Sequence, residues 1–356
     1  MRSLLPGDLK KILIRSTNWI GDAIMTTPAV RTVRRNFPAA EITLLAMPWV
    51  ADVFRASPDI DRIIHYEKNG RHHGLAGKMR LALDLKRESF EAAVLLQNAF
   101  EAALITSLAR IPVRGGYTTD GRGLLLTHGV KKQADIGRRH QVHYYQEMLR
   151  GLGLRPGPDD LELVLPDSAS RWAGEFLQEK GLEPGALIIG LNPGAAYGPA
   201  KRWPSNKFAA LAAELCRKTE ALVLIFGTEA DCAVAERIGI EAAAGARIVN
   251  LAGRTSLSQA MALIGRCTVF VTNDSGLMHV SAALHTRTVA IFGSTDPVAT
   301  GPASDHAIVV RTEIACSPCL KTHCPKQHFQ CMEKIKVEDV LTAVYEHLGG
   351  RAGAKE

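Results

Sequence analysis

Short runs of branched apolar residues alternate with longer amphipathic stretches along most of the chain. A short apolar run bounded by polar or turn residues predicts a buried strand, whereas apolar residues three or four positions apart predict a helix. This alternation is typical of parallel sheets covered by helices. The predicted strands are 11–15, 41–46, 92–96, 186–191, 222–226, 247–251, 268–272 and 288–292, and the main predicted helices are 22–36, 168–180 and 337–348.

A stretch rich in Gly and Pro, 150–166, interrupts the pattern and marks a domain boundary. We expect one domain over 1–167, a second over 168–335, and a C-terminal helix with a frayed tail over 336–356. The predicted fold class is α/β, with two Rossmann-like, doubly wound domains facing each other across a cleft and ligands at the carboxyl ends of the strands. The segment 69–90 contains Gly and His residues that suggest a mobile loop.

Charge is distributed unevenly along the 356 residues. The first 150 residues contain 23 Lys and Arg against 14 Asp and Glu. Such a surplus attracts a polyanion, which would be nucleic acid, an anionic membrane surface or a charged glycan, or it simply keeps the surface soluble. Aromatic residues make up 6% of the chain and no nucleic-acid-binding motif is present, so we expect no nucleic-acid partner. Charged residues interrupt 1–16, which argues against a signal peptide or a membrane span and favours the cytoplasm.

The most informative motif is VTNDSGLMH at 271–279, where an apolar strand meets a helix start. Backbone N–H groups and the positive end of a helix dipole converge on such a turn, which suits the phosphates of a nucleotide. Asp274 and the turn Ser275, Gly276 and Leu277 are the candidate residues, whereas His279 is either a structural residue or a phosphate contact. The chain has neither a G-x-G-x-x-G nor a P-loop motif, which disfavours a dinucleotide oxidoreductase or a P-loop enzyme.

A second motif, NPGAAYGPAKRWP, occupies 192–204. Gly194 and Ala195 permit close approach of the backbone to a ligand, and Lys201 and Arg202 could neutralise a departing diphosphate without a metal. Alternatively, the two cations are a solvated pair and Trp203 is only a packing anchor.

Three further positions lie at predicted strand ends. Asp22 follows the first strand and would act as a general base, or else as a helix N-cap. Asp231 would accept a hydrogen bond from a ribose, although Glu229 or Asp231 could equally cap a helix. Ser256 and Leu257 would line a base pocket, unless Ser256 only caps the next helix.

Four of the seven cysteines, Cys316, Cys319, Cys324 and Cys331, cluster near the end of the chain, with His323 and His328 between them. They are either zinc ligands in an unusual spacing, a redox-labile pair or reduced thiols, and we expect no metal in catalysis.

The sequences at 198–204 and 272–279 resemble the corresponding motifs of the ADP-heptose:lipopolysaccharide heptosyltransferases. The resemblance is strongest to the members that add the second inner-core heptose in Gram-negative bacteria. The resemblance implies a GT-B fold and a metal-independent, inverting transfer from ADP-heptose, without a cofactor, to an inner-core heptose on Kdo-lipid A. It also implies that Asp22 is the general base, Lys201 contacts the donor phosphate, and Asp274 lies near the donor heptose. Ser275, Gly276, Leu277 and His279 would form the diphosphate turn, and Asp231 the ribose contact.

Under this resemblance, the basic first half would bind an anionic lipopolysaccharide acceptor at the inner face of the cytoplasmic membrane. The alternatives are the transferase that adds the first heptose to Kdo-lipid A and a non-catalytic protein that binds a nucleotide-sugar. A basic RNA-binding protein is a more distant alternative. The presence of Asp22, Lys201 and Asp274 together favours an enzyme, because a binding protein needs no base.

Overall fold

The computed structural model describes residues 5–183, 185–242 and 247–349. The chain divides into two compact units, Met1–Val164 and Leu165–Glu356. The first unit ends three residues before residue 167, the expected end of the first domain. Among the described helices, none combines the length and apolar character needed to cross a bilayer.

The first unit contains a six-stranded parallel sheet. Its strands are β1 (Lys11–Arg15), β2 (Glu41–Ala46), β3 (Arg62–His65), β4 (Ala92–Leu95), β5 (Val113–Tyr117) and β6 (His128–Val130). Its α-helices are α1 (Ile20–Met25), α2 (Thr27–Asn36), α3 (Pro48–Ala51), α4 (Gly74–Arg87), α5 (Phe100–Leu108) and α6 (Gln141–Gly151), with 3-10 turns at Asp52–Phe54, Arg122–Leu125 and Ile136–Arg138. The strand order is β3-β2-β1-β4-β5-β6, so the order reverses between β1 and β4.

The second unit repeats this plan. Its strands are β7 (Ile188–Asn192), β8 (Leu222–Ile225), β9 (Ile248–Asn250), β10 (Val269–Asn273), β11 (Thr288–Phe292) and β12 (Ala307–Arg311). Its α-helices are α7 (Asp167–Glu179), α8 (Ser205–Lys218), α9 (Cys232–Glu241), α10 (Leu257–Ile264), α11 (Gly276–Ala283), α12 (Pro297–Thr300), α13 (Gln330–Glu333) and α14 (Val337–His347), with 3-10 turns at Pro199–Lys201 and Glu229–Asp231. The order β12-β11-β10-β7-β8-β9 reverses between β7 and β10.

Both units therefore have the doubly wound topology expected from the sequence. In sheets of this topology, ligands bind outside the carboxyl ends of the strands, where the strand order reverses. The eight predicted strands are present. Four strands, β3, β5, β6 and β12, were not predicted, because they are short or partly exposed and contain polar or Gly residues. The strands β3, β5 and β6 lack the continuous apolar run of a central strand, whereas β12 has such a run over 307–310 that the sequence analysis did not recognise.

The predicted helix 22–36 is in fact two helices that meet at Thr26. Pro28 has no N–H to donate to the carbonyl of Ile24, so the helical ladder is interrupted there. The hydroxyl of Thr27 donates to that carbonyl at 2.9 Å and satisfies it.

The expectation of a mobile loop over 69–90 was wrong for most of that segment, because α4 occupies Gly74–Arg87. Its inner face is apolar and includes Leu81, Ala82 and Leu85, each at most 1% exposed. The preceding turn is organised by His72, whose Nδ1 accepts a hydrogen bond from the backbone N–H of Glu67 at 3.0 Å.

Candidate functional site

Two asparagines end the central strands of the second sheet and join their loops. β7 and β10 are parallel neighbours, and Asn192 lies beside Thr272 in the register. Asn192 Nδ2 donates to the hydroxyls of Thr272 at 2.9 Å and Ser275 at 2.7 Å. Asn273 Nδ2 donates to the carbonyl of Pro193 at 2.7 Å. The loop after β7 and the turn after β10 are thus held together at the point where the strand order reverses.

A buried ion pair lies where the strand order reverses. Lys201 Nζ is 2.5 Å from Asp274 Oδ2, and their side chains are 13% and 5% exposed. Thr295, after β11, donates its hydroxyl to the same carboxylate oxygen at 2.6 Å. Lys201 Nζ also lies 4.6 Å from the centroid of the Tyr197 ring, which provides a cation–π contact. The sequence predicted Lys201 and Asp274 as site residues, and the structure brings them into direct contact.

The cysteine-containing segment packs against the loop that contains Lys201. The carbonyl of Thr322 accepts a hydrogen bond from the N–H of Ala200 at 3.1 Å, and that of Leu320 accepts one from the Tyr197 hydroxyl at 3.1 Å. The N–H of Leu320 in turn donates to the carbonyl of Ser294 at 2.7 Å, beside Thr295. Residues 320–322 are therefore hydrogen-bonded both to the loop that contains Lys201 and to the loop after β11 that contains Thr295. The sequence did not indicate this role.

This packing requires a glycine at position 198. Gly198 has φ +150°, and a Cβ there would lie 2.4 Å from the carbonyl oxygen of Thr322. Gly198→Ala should lower the free energy of unfolding of the second unit by about 1–3 kcal/mol through strain and overpacking. Denaturant titration of the purified variant measures this loss.

The matched control is Gly239→Ala in α9, where an added Cβ would have no neighbour within 4 Å. Alanine is the better helix former, so this control should gain about 0.5–1 kcal/mol. Equal unfolding midpoints for the Gly198 variant and the wild type would show that the loop does not depend on its contact with Thr322.

Asp231 lies against the start of the same loop. A Cβ on Gly194 would lie 2.7 Å from Asp231 Oδ2, so only a glycine permits this close approach. That oxygen also accepts hydrogen bonds from the N–H of Thr228 at 2.9 Å and its hydroxyl at 2.7 Å. Arg202 contacts the carbonyl of Ala195 at 3.2 Å through Nη2, which lies 4.0 Å from Asp231 Oδ1. Asp231 thus caps the turn at Glu229–Asp231, and its remaining oxygen faces Arg202.

The described cysteines are all free thiols. Burial opposes ionisation of Cys324, but backbone N–H groups of residues 326–329 hold its pKa below the usual value. Cys316 Sγ lies 3.9 Å from His328 Nε2. Among residues 5–183, 185–242 and 247–349, no three His, Cys, Asp or Glu side chains are grouped in a way that could hold a metal ion.

Asp22 lies at the carboxyl edge of the first sheet, in the first turn of α1. The N-cap position of that helix is Trp19, so the interpretation of Asp22 as an N-cap is wrong. Burial raises the pKa of Tyr145, and the negative charge of Asp22 raises it further, which places the Asp22 carboxylate near that buried ring. Asp22 is itself half-buried.

A second charged cluster lies at the same edge of the first sheet. The carboxylate of Glu101 accepts a hydrogen bond from Tyr66 at 2.7 Å and contacts Lys78 at 2.6 Å. Burial would raise the pKa of Glu101, but the bonds from Lys78 and Tyr66 and the charge of Lys68 lower it overall. Arg15 stacks 5.3 Å from the Tyr66 ring, and its burial lowers its pKa to about 10.

Comparison with known proteins identifies the family. The model of glycosyltransferase family 9 (heptosyltransferase) matches residues 78–330. The chain belongs to glycosyltransferase family 9. It is therefore an enzyme of the glycosyltransferase class, with the GT-B fold.

Individual members of family 9 differ in their similarity to the chain. Lipooligosaccharide heptosyltransferase 2 of Haemophilus ducreyi is 32% identical over 311 residues, which cover 85% of the chain and 88% of that protein. Lipopolysaccharide heptosyltransferase 1 of Pseudomonas aeruginosa is 24% identical over 325 residues, 89% of the chain and 88% of that protein. The solved structure of Escherichia coli ADP-heptose heptosyltransferase II is similar to the chain with a TM-score of 0.81 and 29% sequence identity. This match covers 96% of the chain and 99% of the solved one.

The remaining predicted residues of this family 9 chain lie in the first turns of α10 and α11 or at the N-caps of these helices. Ser256 is the N-cap of α10 and accepts a hydrogen bond from the N–H of Gln259 at 3.2 Å, which agrees with the capping interpretation. Leu257 is the first residue of α10. Gly276 and Leu277 begin α11 after Ser275, its N-cap, whereas His279 is only 3% exposed.

Sequence reasoning missed several residues that build this family 9 site. Asn192, Asn273, Tyr197 and Thr295 each contact the predicted loop or the ion pair. Polar residues that end apolar strands were the available signal for the two asparagines, and the same signal had identified Asp274. Thr295 follows a predicted strand by three positions, and its contact with Asp274 could not be foreseen from that spacing.

Proposed function

We propose that the protein transfers L-glycero-D-manno-heptose from ADP-heptose, with inversion, to the first heptose of the lipopolysaccharide inner core. The observation that carries the proposal is the buried Lys201–Asp274 pair beside the helix start at Ser275. This pair places a fixed cation beside backbone N–H groups, at the point where the strand order of the second sheet reverses. Such an arrangement can bind the negative charges of a nucleoside diphosphate. The relative named heptosyltransferase 2 is also more similar to the chain than the one named heptosyltransferase 1.

In the proposed reaction, the bond between the anomeric carbon and the diphosphate breaks as the acceptor hydroxyl attacks from the opposite face. Negative charge develops on the departing ADP. Lys201, Arg202 and the N–H groups at the start of α11 would stabilise it, because fixed donors need no reorganisation as the charge appears. These groups supply the stabilisation that a divalent metal provides in other transferases, so the proposal requires neither a metal nor a cofactor.

The first unit would bind the acceptor and supply the base. Asp22 would act as the general base that takes the proton of the attacking hydroxyl. The second unit would bind the donor through Gly194, Ala195, Asp231, Ser256 and Leu257 and through the turn Ser275, Gly276, Leu277 and His279. Asp274 would orient Lys201 and lie near the donor heptose.

The anionic, lipid-linked acceptor would be met at the inner face of the cytoplasmic membrane. The surplus of Lys and Arg in the first 150 residues supports this location, because cations are attracted to anionic lipids and to the charged inner core. We therefore propose a cytoplasmic protein that associates peripherally with that membrane, without a nucleic-acid partner.

Mass spectrometry of reaction products tests the proposal. The purified protein is incubated with ADP-heptose and a chelator, and with Kdo-lipid A that has either no heptose or one heptose. We expect a single added heptose only on the heptosylated acceptor. Addition only to the heptose-free acceptor would assign the first-heptose reaction, and no addition to either would contradict the proposed transfer. Loss of product that is restored by a divalent metal would contradict metal independence.

A further inference from the structure

Helix α4 exposes a row of apolar side chains. Leu75, Met79 and Leu83, four residues apart, are 82%, 46% and 47% exposed. Residues with this spacing lie one above another on the same helix face. The opposite face already packs on the first unit through Leu81 and Leu85. The exposed row is therefore not needed to attach α4 to its own unit.

No other helix among the described residues exposes three large apolar side chains. Leu124 is 99% exposed on a short turn, and Ile240 is 70% exposed near the end of α9. Single exposed apolar residues are ordinary on soluble proteins, whereas a contiguous row indicates an interaction surface. The row on α4 differs from such single residues because its three side chains repeat along one helix face.

Cations surround the row. Residues 67–88 contain six Lys and Arg against three Asp and Glu. Asp84 is held by Arg71 at 2.8 Å and by Arg87 at 3.0 Å. Arg80 and Lys86 are exposed, and neither forms an ion pair with another described residue. An apolar helix face bordered by cations is the pattern of a helix that lies in the interface of an anionic membrane.

The position of α4 suits this role. Lys78, on its second turn, contacts Glu101 in the first turn of α5, which follows β4. The N-terminal half of α4 therefore lies at the carboxyl edge of the first sheet, the edge where α1 places Asp22. A surface that bound lipid there would bring this edge close to the membrane.

We infer that Leu75, Met79 and Leu83, with Arg80 and Lys86, form a docking surface for an anionic phospholipid bilayer. The inference rests on the proposed function, in which the acceptor is anchored in lipid. The three apolar side chains enter the boundary between head groups and acyl chains, and the two cations lie among anionic head groups. A second copy of the chain fits this surface less well, because each copy would bring the same surplus of cations around the row.

Vesicle co-sedimentation tests the docking surface. The full chain is mixed with vesicles of phosphatidylethanolamine containing phosphatidylglycerol, and separately with vesicles of phosphatidylcholine alone. The test variant is Leu75→Gln/Met79→Gln/Leu83→Gln, because Gln keeps a similar helix propensity while removing the apolar surface. The matched control is Ile240→Gln, also an exposed apolar helix residue.

We expect the wild type and the control to bind the anionic vesicles and the triple variant to lose at least about tenfold in partition coefficient, given the apolar area removed. Arg80→Gln/Lys86→Gln should weaken binding about fivefold for each cation and reduce its salt dependence. Equal binding by the triple variant and the wild type would overturn the inference, as would equal binding of the wild type to neutral vesicles. A dimer that only the triple variant loses in light scattering would reassign the row to a contact between copies.

Failure of this inference is distinguishable from failure of the proposed function. The triple variant should transfer heptose to a delipidated, water-soluble core oligosaccharide at the wild-type rate, but should lose activity towards acceptor embedded in vesicles. Equal loss on both acceptors would contradict a docking role. No transfer by the wild type to either acceptor would instead contradict the proposed function, while vesicle binding would still be measured directly.

Discussion

Asp22→Asn lowers kcat for heptose transfer by about 10²–10⁴-fold, the contribution typical of a positioned general base. Affinity for ADP-heptose stays unchanged, because the proposed donor residues all belong to the second unit. Asn has nearly the same shape as Asp, and the loss of a half-buried negative charge near Tyr145 should not destabilise α1. Single-turnover kinetics and calorimetric titration with ADP-heptose measure the two quantities separately.

Asp120→Asn is the matched control. Asp120 is exposed, follows β5 at the carboxyl edge of the same sheet, and has φ +54°, which Asn accepts readily. It should transfer heptose at the wild-type rate. If Asp22→Asn retained activity, or lost donor binding together with activity, Asp22 would not be the base.

Lys201→Gln lowers kcat/KM by about 10²–10³-fold, as expected when one fixed donor to a developing oxyanion is removed. The same change leaves Asp274, whose side chain is 5% exposed, without its cation. Breaking a buried pair in this way costs about 3–5 kcal/mol of folding free energy. Thermal unfolding and steady-state kinetics on one preparation record both effects.

A double variant separates these two effects. Lys201→Gln/Asp274→Asn removes both charges, so it should recover most of the lost stability but none of the lost activity. Lys218→Gln, at the far end of α8, changes an exposed lysine and should leave kcat/KM unaltered. Recovery of activity in the double variant would show that Lys201 only balances the charge of Asp274.

The parts of the fold that the sequence predicted well are those governed by local periodicity. Strands β1, β2 and β11 begin and end where the apolar runs predicted. The strand β6 has only three residues and includes a glycine, so no run could be recognised. The break between α1 and α2 depends on one missing N–H at Pro28, and the proline was visible in the sequence although its consequence was not used.

The site was predictable where one residue type at a strand end implied one chemistry. Asp274 and Lys201 were found in this way, and their contact at 2.5 Å follows from the parallel pairing of β7 and β10. The hydrogen bond between the Lys201 loop and Thr322 was not predictable, because Thr322 lies more than a hundred residues later in the sequence. Contacts of this kind depend on tertiary packing, which local periodicity does not encode.

The contact between Trp203 and a residue near the end of the chain bears on how the nascent chain folds. The indole Nε1 of Trp203 donates to the carbonyl of Ile335 at 3.1 Å, and Lys207 Nζ donates to the same carbonyl at 2.8 Å. The ribosome makes the Lys201 loop long before it makes Ile335, so the nascent loop lacks this contact while β8 to β12 are being added. Donor-binding competence should therefore be acquired late, as one of the last events in the maturation of the polypeptide.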